Sequence, residues 1–205
     1  MLEDAGAGVE RIGRLQRQLH FGLQVAGLVD PRDEFQCAPA LFAIVCDGVG
    51  GHQAGEVAAE MAVEIISREA AASDATAPLQ TMRQAIQKAG QAISERSENN
   101  PELYGMGATC ACVWIINDRL FMANVGDSRI YMVREGVIRQ ISTDHTWVQE
   151  AIEAGLLTPD QARVHPNAHV IRRYLGSKQP VEADTRLHLR DGESDEQAEA
   201  NQGLT

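Results

Sequence analysis

Asp47 closes an apolar run, Leu41 to Cys46, and glycines follow it at positions 48, 50 and 51. A carboxylate at the mouth of a strand, beside backbone that glycine leaves uncovered, offers the oxygen donors that a hard cation such as Mg²⁺ or Mn²⁺ takes. The same residues also suit a tight strand-to-helix turn capped by Asp47, and short glycine motifs recur by chance. Asp127 repeats the placement, following the apolar stretch Phe121 to Val125 and Gly126. Its alternative role is a turn carboxylate that accepts hydrogen bonds from the backbone of Ser128 and Arg129.

The elements that must position these acids are legible as periodicities. Leu41 to Cys46 is continuous enough to predict a strand buried on both faces. After the glycines, Ala54, Val57, Ala58, Met61, Ala62 and Ile65 share one side of a helix over 53–72, and Leu79, Met82, Ile86, Ala89 and Ile93 mark a second to about Ser97. From Thr109 the pattern turns to β. Thr109–Ile116, Arg119–Val125, Ser128–Val133 and Val137–Ile141 are separated by Asn117-Asp118, Gly126-Asp127 and Glu135-Gly136, which predicts an antiparallel meander. Trp147–Gly155 and Thr158–Val164 read as short helices, the second with Thr158 as N-cap and Pro159 at its first position, and Arg186–Leu189 as a strand. Near the start, Val9, Ile12, Leu15 and Leu19 fall at helical spacing, and a strand-like run over 21–37 is broken by Asp30-Pro31.

Composition bounds the function. The 205 residues are 44% hydrophobic and 23% charged, which is ordinary for a globular protein, and suffice for one domain or a large part of one. A formal net charge of −11 argues against a nucleic-acid partner and favours divalent cations. Cys37, Cys46, Cys110 and Cys112 lack a Cys-x-x-Cys spacing; reduced core thiols in a cytoplasmic protein are the expectation. No stretch approaches the ~18 apolar residues of a membrane span.

The run VCDGVGGHQAGEVAAEMA, then Gly107-Ala108-Thr109, then GDSR with Thr-Asp-His following, resembles the metal-dependent protein serine/threonine phosphatases of the protein phosphatase 2C (PPM) type, in a bacterial form. The resemblance implies an α+β fold, an α-β-β-α sandwich of two antiparallel sheets flanked by helices. It implies two Mn²⁺ or Mg²⁺ ions, with a further ion near Asp127, held by Asp47, the Gly48 carbonyl and Asp33, which best matches the family's early Asp. It implies hydrolysis of phosphoserine or phosphothreonine in phosphorylated proteins, such as kinase targets, by a metal-activated water. Asp47 is the catalytic candidate. The family's phosphate-gripping Arg falls on Leu28 and its Asn on Pro31, while Arg32 points to the other face of a strand. His52 is read as a structural loop histidine. Asp144 and His145 resemble the family's Asp-His and are read as shaping a corner; Arg172 to Gly176 resembles its Arg-x-Leu-Gly. The family's later Ser-Asp-Gly and final Asp have no counterpart, since Asp191-Gly192-Glu193-Ser194-Asp195 follows no apolar strand. The expectation is a C-terminally incomplete phosphatase domain over 21–190, with an N-terminal extension at 1–20 and an acidic tail at 191–205. A non-catalytic phosphatase-like binding or regulatory protein is the alternative; neither nucleic acid nor membrane is expected as a partner.

Overall fold

The computed structural model describes residues 22–26, 40–50, 52–117 and 119–188, with the side chains of 22–26 and of His52 excepted. The expected helix near Val9, Asp33, Leu28, Pro31, Arg32, Cys37 and the acidic tail lie outside the described residues.

The chain enters a five-stranded antiparallel sheet with β1 (Gly22–Ala26) and β2 (Ala40–Cys46). A short strand β3 (Gly48–Val49) leads into α1 (His52–Ala71), and α2 (Pro78–Asn99) returns alongside it. Next, β4 (Gly107–Ala108) pairs with β3, and β5 (Cys110–Ile116) and β6 (Arg119–Val125) form a hairpin beside β2. A second hairpin, β7 (Tyr131–Arg134) and β8 (Val137–Gln140), is followed by α3 (Trp147–Glu153), α4 (Pro159–Arg163) and β9 (Asp184–His188). The sheet order is β1-β2-β5-β6-β9.

The core lies between this sheet and α1/α2. Period-2 alternation sends Phe42, Ile44 and Cys46 of β2, Cys112 and Trp114 of β5, and Phe121, Ala123 and Val125 of β6 to the helix side. There they meet Ala58, Ala62 and Ile66 of α1 and Met82, Ile86 and Ile93 of α2. Phe42 and Trp114 pack edge to face with centroids 5.7 Å apart. Cys46, Cys110 and Cys112 are free thiols buried in this layer; contact with Cys110, then burial, pushes the Cys112 thiol up, so it stays protonated.

Two expectations are corrected. β2 is not buried on both faces: Leu41 and Val45 are 38% and 36% exposed, because only the side facing α1 is covered among the described residues. Nor does the meander continue past β6. Gly126, at φ +98°, turns the chain out of the sheet, β7 and β8 pair, among the described residues, only with each other, and β9 takes the place beside β6. Asp184, Arg186 and His188 therefore follow the alternation of Asn124, Met122 and Leu120, their register partners. In the β7–β8 turn Glu135 and Gly136 both have positive φ, the geometry a two-residue hairpin needs. α4 carries a complete capping box between Thr158 and Gln161. No described helix is long and apolar enough to cross a membrane.

Candidate metal centre

Asp47 and Asp127 stand at the C-terminal ends of β2 and β6, two strands separated by β5 in the sheet. Three short contacts tie their loops together. The Asp47 N–H donates to the Thr109 hydroxyl at 2.9 Å, and the Thr109 N–H donates to the Asp47 carbonyl at 2.8 Å. The Thr109 hydroxyl also meets the Ser128 hydroxyl at 2.7 Å. Fully buried Thr109 at the start of β5 thus touches both acidic loops. Gly126 completes the fit: a Cβ there would lie 2.6 Å from the Thr109 methyl, and its φ is one that L side chains rarely adopt.

Gly48 has a different constraint. A Cβ on it would lie 2.1 Å from the Gly55 carbonyl, so the first turn of α1 packs directly onto backbone. The close approach of α1 leaves no room for a side chain beside Asp47. His52 is the first residue of α1. Along the open face of the sheet, a cleft of about 470 Å³ runs from Asp47 past Val45, Ala111 and Val113 to Ser128 and Tyr131.

Electrostatics fit a cation. Partial burial, and then the negative charge of Asp127, hold the Asp47 carboxyl above its usual range, against a smaller opposing contribution from the Gly48 N–H. The negative charge that Asp127 sets beside Asp47 is of the kind a divalent ion relieves, and the donor set of carboxylate plus bare carbonyl oxygen suits Mg²⁺ or Mn²⁺. Among the described residues no three His, Cys, Asp or Glu side chains converge; of the expected ligand set, Asp47, Gly48 and Asp127 stand on two loops joined through Thr109, and Asp33 is not among the described residues.

The Asp127 loop is held on both sides by the Asp144-His145 corner. Arg129 grips Asp144 through Nε at 3.0 and 2.9 Å and Nη2 at 2.6 Å, and Gln140 adds a bond to Asp144 Oδ1 at 3.0 Å. This pairing holds the guanidinium charge even more firmly than usual. Buried His145 exchanges two bonds with Gly126 and reaches Asp184. Sequence reasoning assigned no role to Thr109, Ser128 or Arg129. The strand register that sets Thr109 opposite Asp47 is a long-range pairing, and the motif spelling alone carries no sign of it.

Comparison with known proteins bears on the family and the fold. The protein phosphatase 2C family profile matches residues 33–151, more than half of the chain. The serine/threonine phosphatase Stp of Listeria monocytogenes is 38% identical over 146 residues, covering 69% of this chain. The serine/threonine protein phosphatase PstP of Mycobacterium tuberculosis is 35% identical over 153 residues, 73% of this chain and 29% of that protein. The chain spans 58% of the length of the Listeria relative. Among solved structures, the S. agalactiae serine/threonine phosphatase superposes with a TM-score of 0.70 at 32% identity, over 82% of this chain and 73% of that one. The catalytic domain of PstP in complex with two manganese ions gives 0.63 at 29% identity, over 82% and 71%. With two strand-end acids joined through one buried threonine on a helix-backed antiparallel sheet, and with these relatives, the chain belongs to the protein phosphatase 2C family.

Proposed function

We propose that the protein is a metal-dependent phosphatase of phosphoserine and phosphothreonine in proteins, with the phosphatase domain at residues 21–190 between an extension at 1–20 and a tail at 191–205. The observation that carries the reading is the joining of the two strand-end acidic loops through Thr109, whose hydroxyl accepts the Asp47 N–H at 2.9 Å and meets the Ser128 hydroxyl at 2.7 Å. Asp47, the Gly48 carbonyl and Asp127 would hold the ions, with Asp33 as a further ligand. When bound, two Mn²⁺ or Mg²⁺ ions, with a third near Asp127, supply Lewis acidity that makes water nucleophilic near neutral pH and neutralise phosphoryl charge.

This chain's own residues do the remaining work. Thr109 fixes the backbone of Asp47 and, through Ser128, the start of the loop after Asp127. Gly48 lets α1 close over the turn, which fixes the backbone next to Asp47. The cleft beside Asp47 is lined largely by small apolar side chains, which support an extended substrate segment without competing for its phosphate. The manganese ions in the PstP catalytic-domain structure support the choice of metal.

The test is Mn²⁺-dependent hydrolysis of a phosphothreonine peptide by the purified 205-residue chain, with Asp47→Asn as control. Turnover that disappears in the variant supports the reading. A folded chain that binds Mn²⁺ at Asp47 but never turns over supports instead a phosphatase-like protein with a binding or regulatory role. Equal turnover in both proteins would refute the assignment of Asp47.

A further inference from the structure

We propose that His145 is a positioning residue of the metal centre, its Nδ1 fixing Gly126 and so the point where Asp127 leaves β6, with Asp184 and Arg173 fixing the ring behind it. The purpose given to this anchor rests on reading Asp127 as part of that centre.

Reciprocal bonds join the two backbones: the Gly126 N–H donates to His145 Nδ1 at 3.1 Å, and the His145 N–H donates to the Gly126 carbonyl at 3.0 Å. His145 is 3% exposed, so neither bond competes with bulk water. Because Gly126 is the donor, Nδ1 must present its lone pair and the ring proton must sit on Nε2. A doubly protonated ring would set Nδ1–H against the Gly126 N–H, donor against donor. Nε2 lies 3.3 Å from Asp184 Oδ2, long for a hydrogen bond, and no other described group reaches it. The other oxygen of Asp184 accepts from Arg173 Nη1 at 3.1 Å. The acid is therefore held by a cation while it faces the ring proton, the arrangement that orients imidazoles behind metal sites. The His145 carbonyl in turn accepts the Arg172 N–H at 2.8 Å, so the two adjacent arginines secure both the backbone and, through Asp184, the ring of His145. Burial favours the neutral imidazole in the same sense.

If His145 were only a space-filler in a corner, any side chain of similar volume would serve. The anchor instead demands an acceptor at one ring position. His145→Asn keeps an acceptor near Nδ1, whereas His145→Gln keeps a polar atom near Nε2 and loses the Nδ1 acceptor. In the metal-free 205-residue chain, amide hydrogen exchange read by NMR should be about tenfold or more faster at Gly126 in His145→Gln and within about threefold of wild type in His145→Asn. In unmutated protein, ¹⁵N spectra of the imidazole should show the Nε2–H tautomer, a readout that needs no variant to fold. Equal exchange at Gly126 in the two variants, or an Nδ1–H ring, overturns the anchor. Mn²⁺ added to the same samples tests the purpose. In wild type it should broaden the amide signals of both Asp47 and Asp127, and in His145→Gln that of Asp127 should be the weaker affected. No broadening at either residue in wild type would sink the metal-centre reading and the purpose assigned to His145, while exchange and tautomer still decide the anchor itself.

Discussion

In the proposed function Asp47 would meet two opposed demands: a cation would favour its ionised form, while its surroundings, partly buried and beside the charge of Asp127, disfavour it. A carboxyl held above its unfolded value in the fold costs stability wherever it is ionised. The cost is absent below the unfolded carboxylate range and grows as pH rises through the folded value. Asp47→Asn should therefore raise the melting temperature of metal-free protein at pH 7, with the gain vanishing below about pH 4; a melting temperature that falls at pH 7 would contradict the charge argument. The histidines have the opposite sign. Burial first of all lowers both His145 and His188 below their ordinary value, so their contribution is complete above about pH 6.5 and is lost as pH falls from there through the lower folded value. Chemical denaturation should show stability falling as pH drops below about 6.5, less steeply in His145→Asn. Thr109 is legible in the sequence only as one letter of a Gly-Ala-Thr. Its two hydroxyl contacts come from residues 62 positions before it and 19 after it. Thr109→Val keeps the shape but strands the Asp47 N–H and the Ser128 hydroxyl, and should cost about 1–3 kcal/mol in urea unfolding, with Thr109→Ser restoring most of it.

Elements with a strong internal period were read from sequence nearly to their ends. α1 and α2 begin and end within two residues of the expected spans, because their apolar stripes face a sheet and must repeat every three or four positions. The cap of α4 was equally local, Thr158 accepting the Gln161 N–H as Thr-Pro predicts. The strands show where local pattern stops deciding. Alternation cannot say whether a second face is covered, and the apolar letters of β2 predicted burial that Leu41 and Val45 do not have. Which strand sits beside β6 depends on a partner sixty or more positions away, so the meander was the local answer and β9 the tertiary one. The junction of β2 with α1 depends on backbone contact between Gly48 and Gly55. Gly48→Ala puts a methyl 2.1 Å from a carbonyl oxygen and should cost at least about 2 kcal/mol. Ile86→Ala, a cavity in the α2 layer at a fully buried site, should cost about 2–5 kcal/mol without changing Mn²⁺ affinity. Calorimetric melting and metal titration on the same samples separate these two effects; a Gly48→Ala protein as stable as wild type would show that α1 can shift away at no cost.

On the scale of the whole molecule, charge belongs to the function as well as to solubility. A chain with 29 acidic and 18 basic residues attracts divalent cations over long range, and salt screens that attraction. Apparent Mn²⁺ affinity should therefore weaken several-fold between about 0.02 and 0.2 M KCl. An affinity indifferent to salt would mean that contacts at Asp47 and Asp127 alone set it. The sequence by itself determined the family, the helices α1 to α4, the β5–β6 and β7–β8 hairpins and the two strand-end acids, because each is written in contiguous residues whose spacing or identity is sufficient. Only the tertiary structure decided that Thr109 and Ser128 join the acidic loops, that Asp144 and His145 clamp Gly126 and Arg129, and that the described residues cover only one face of the sheet. Those depend on strand register and on which distant segment fills each place in the sheet, quantities fixed by burial and backbone pairing across the whole fold rather than by any local run of residues.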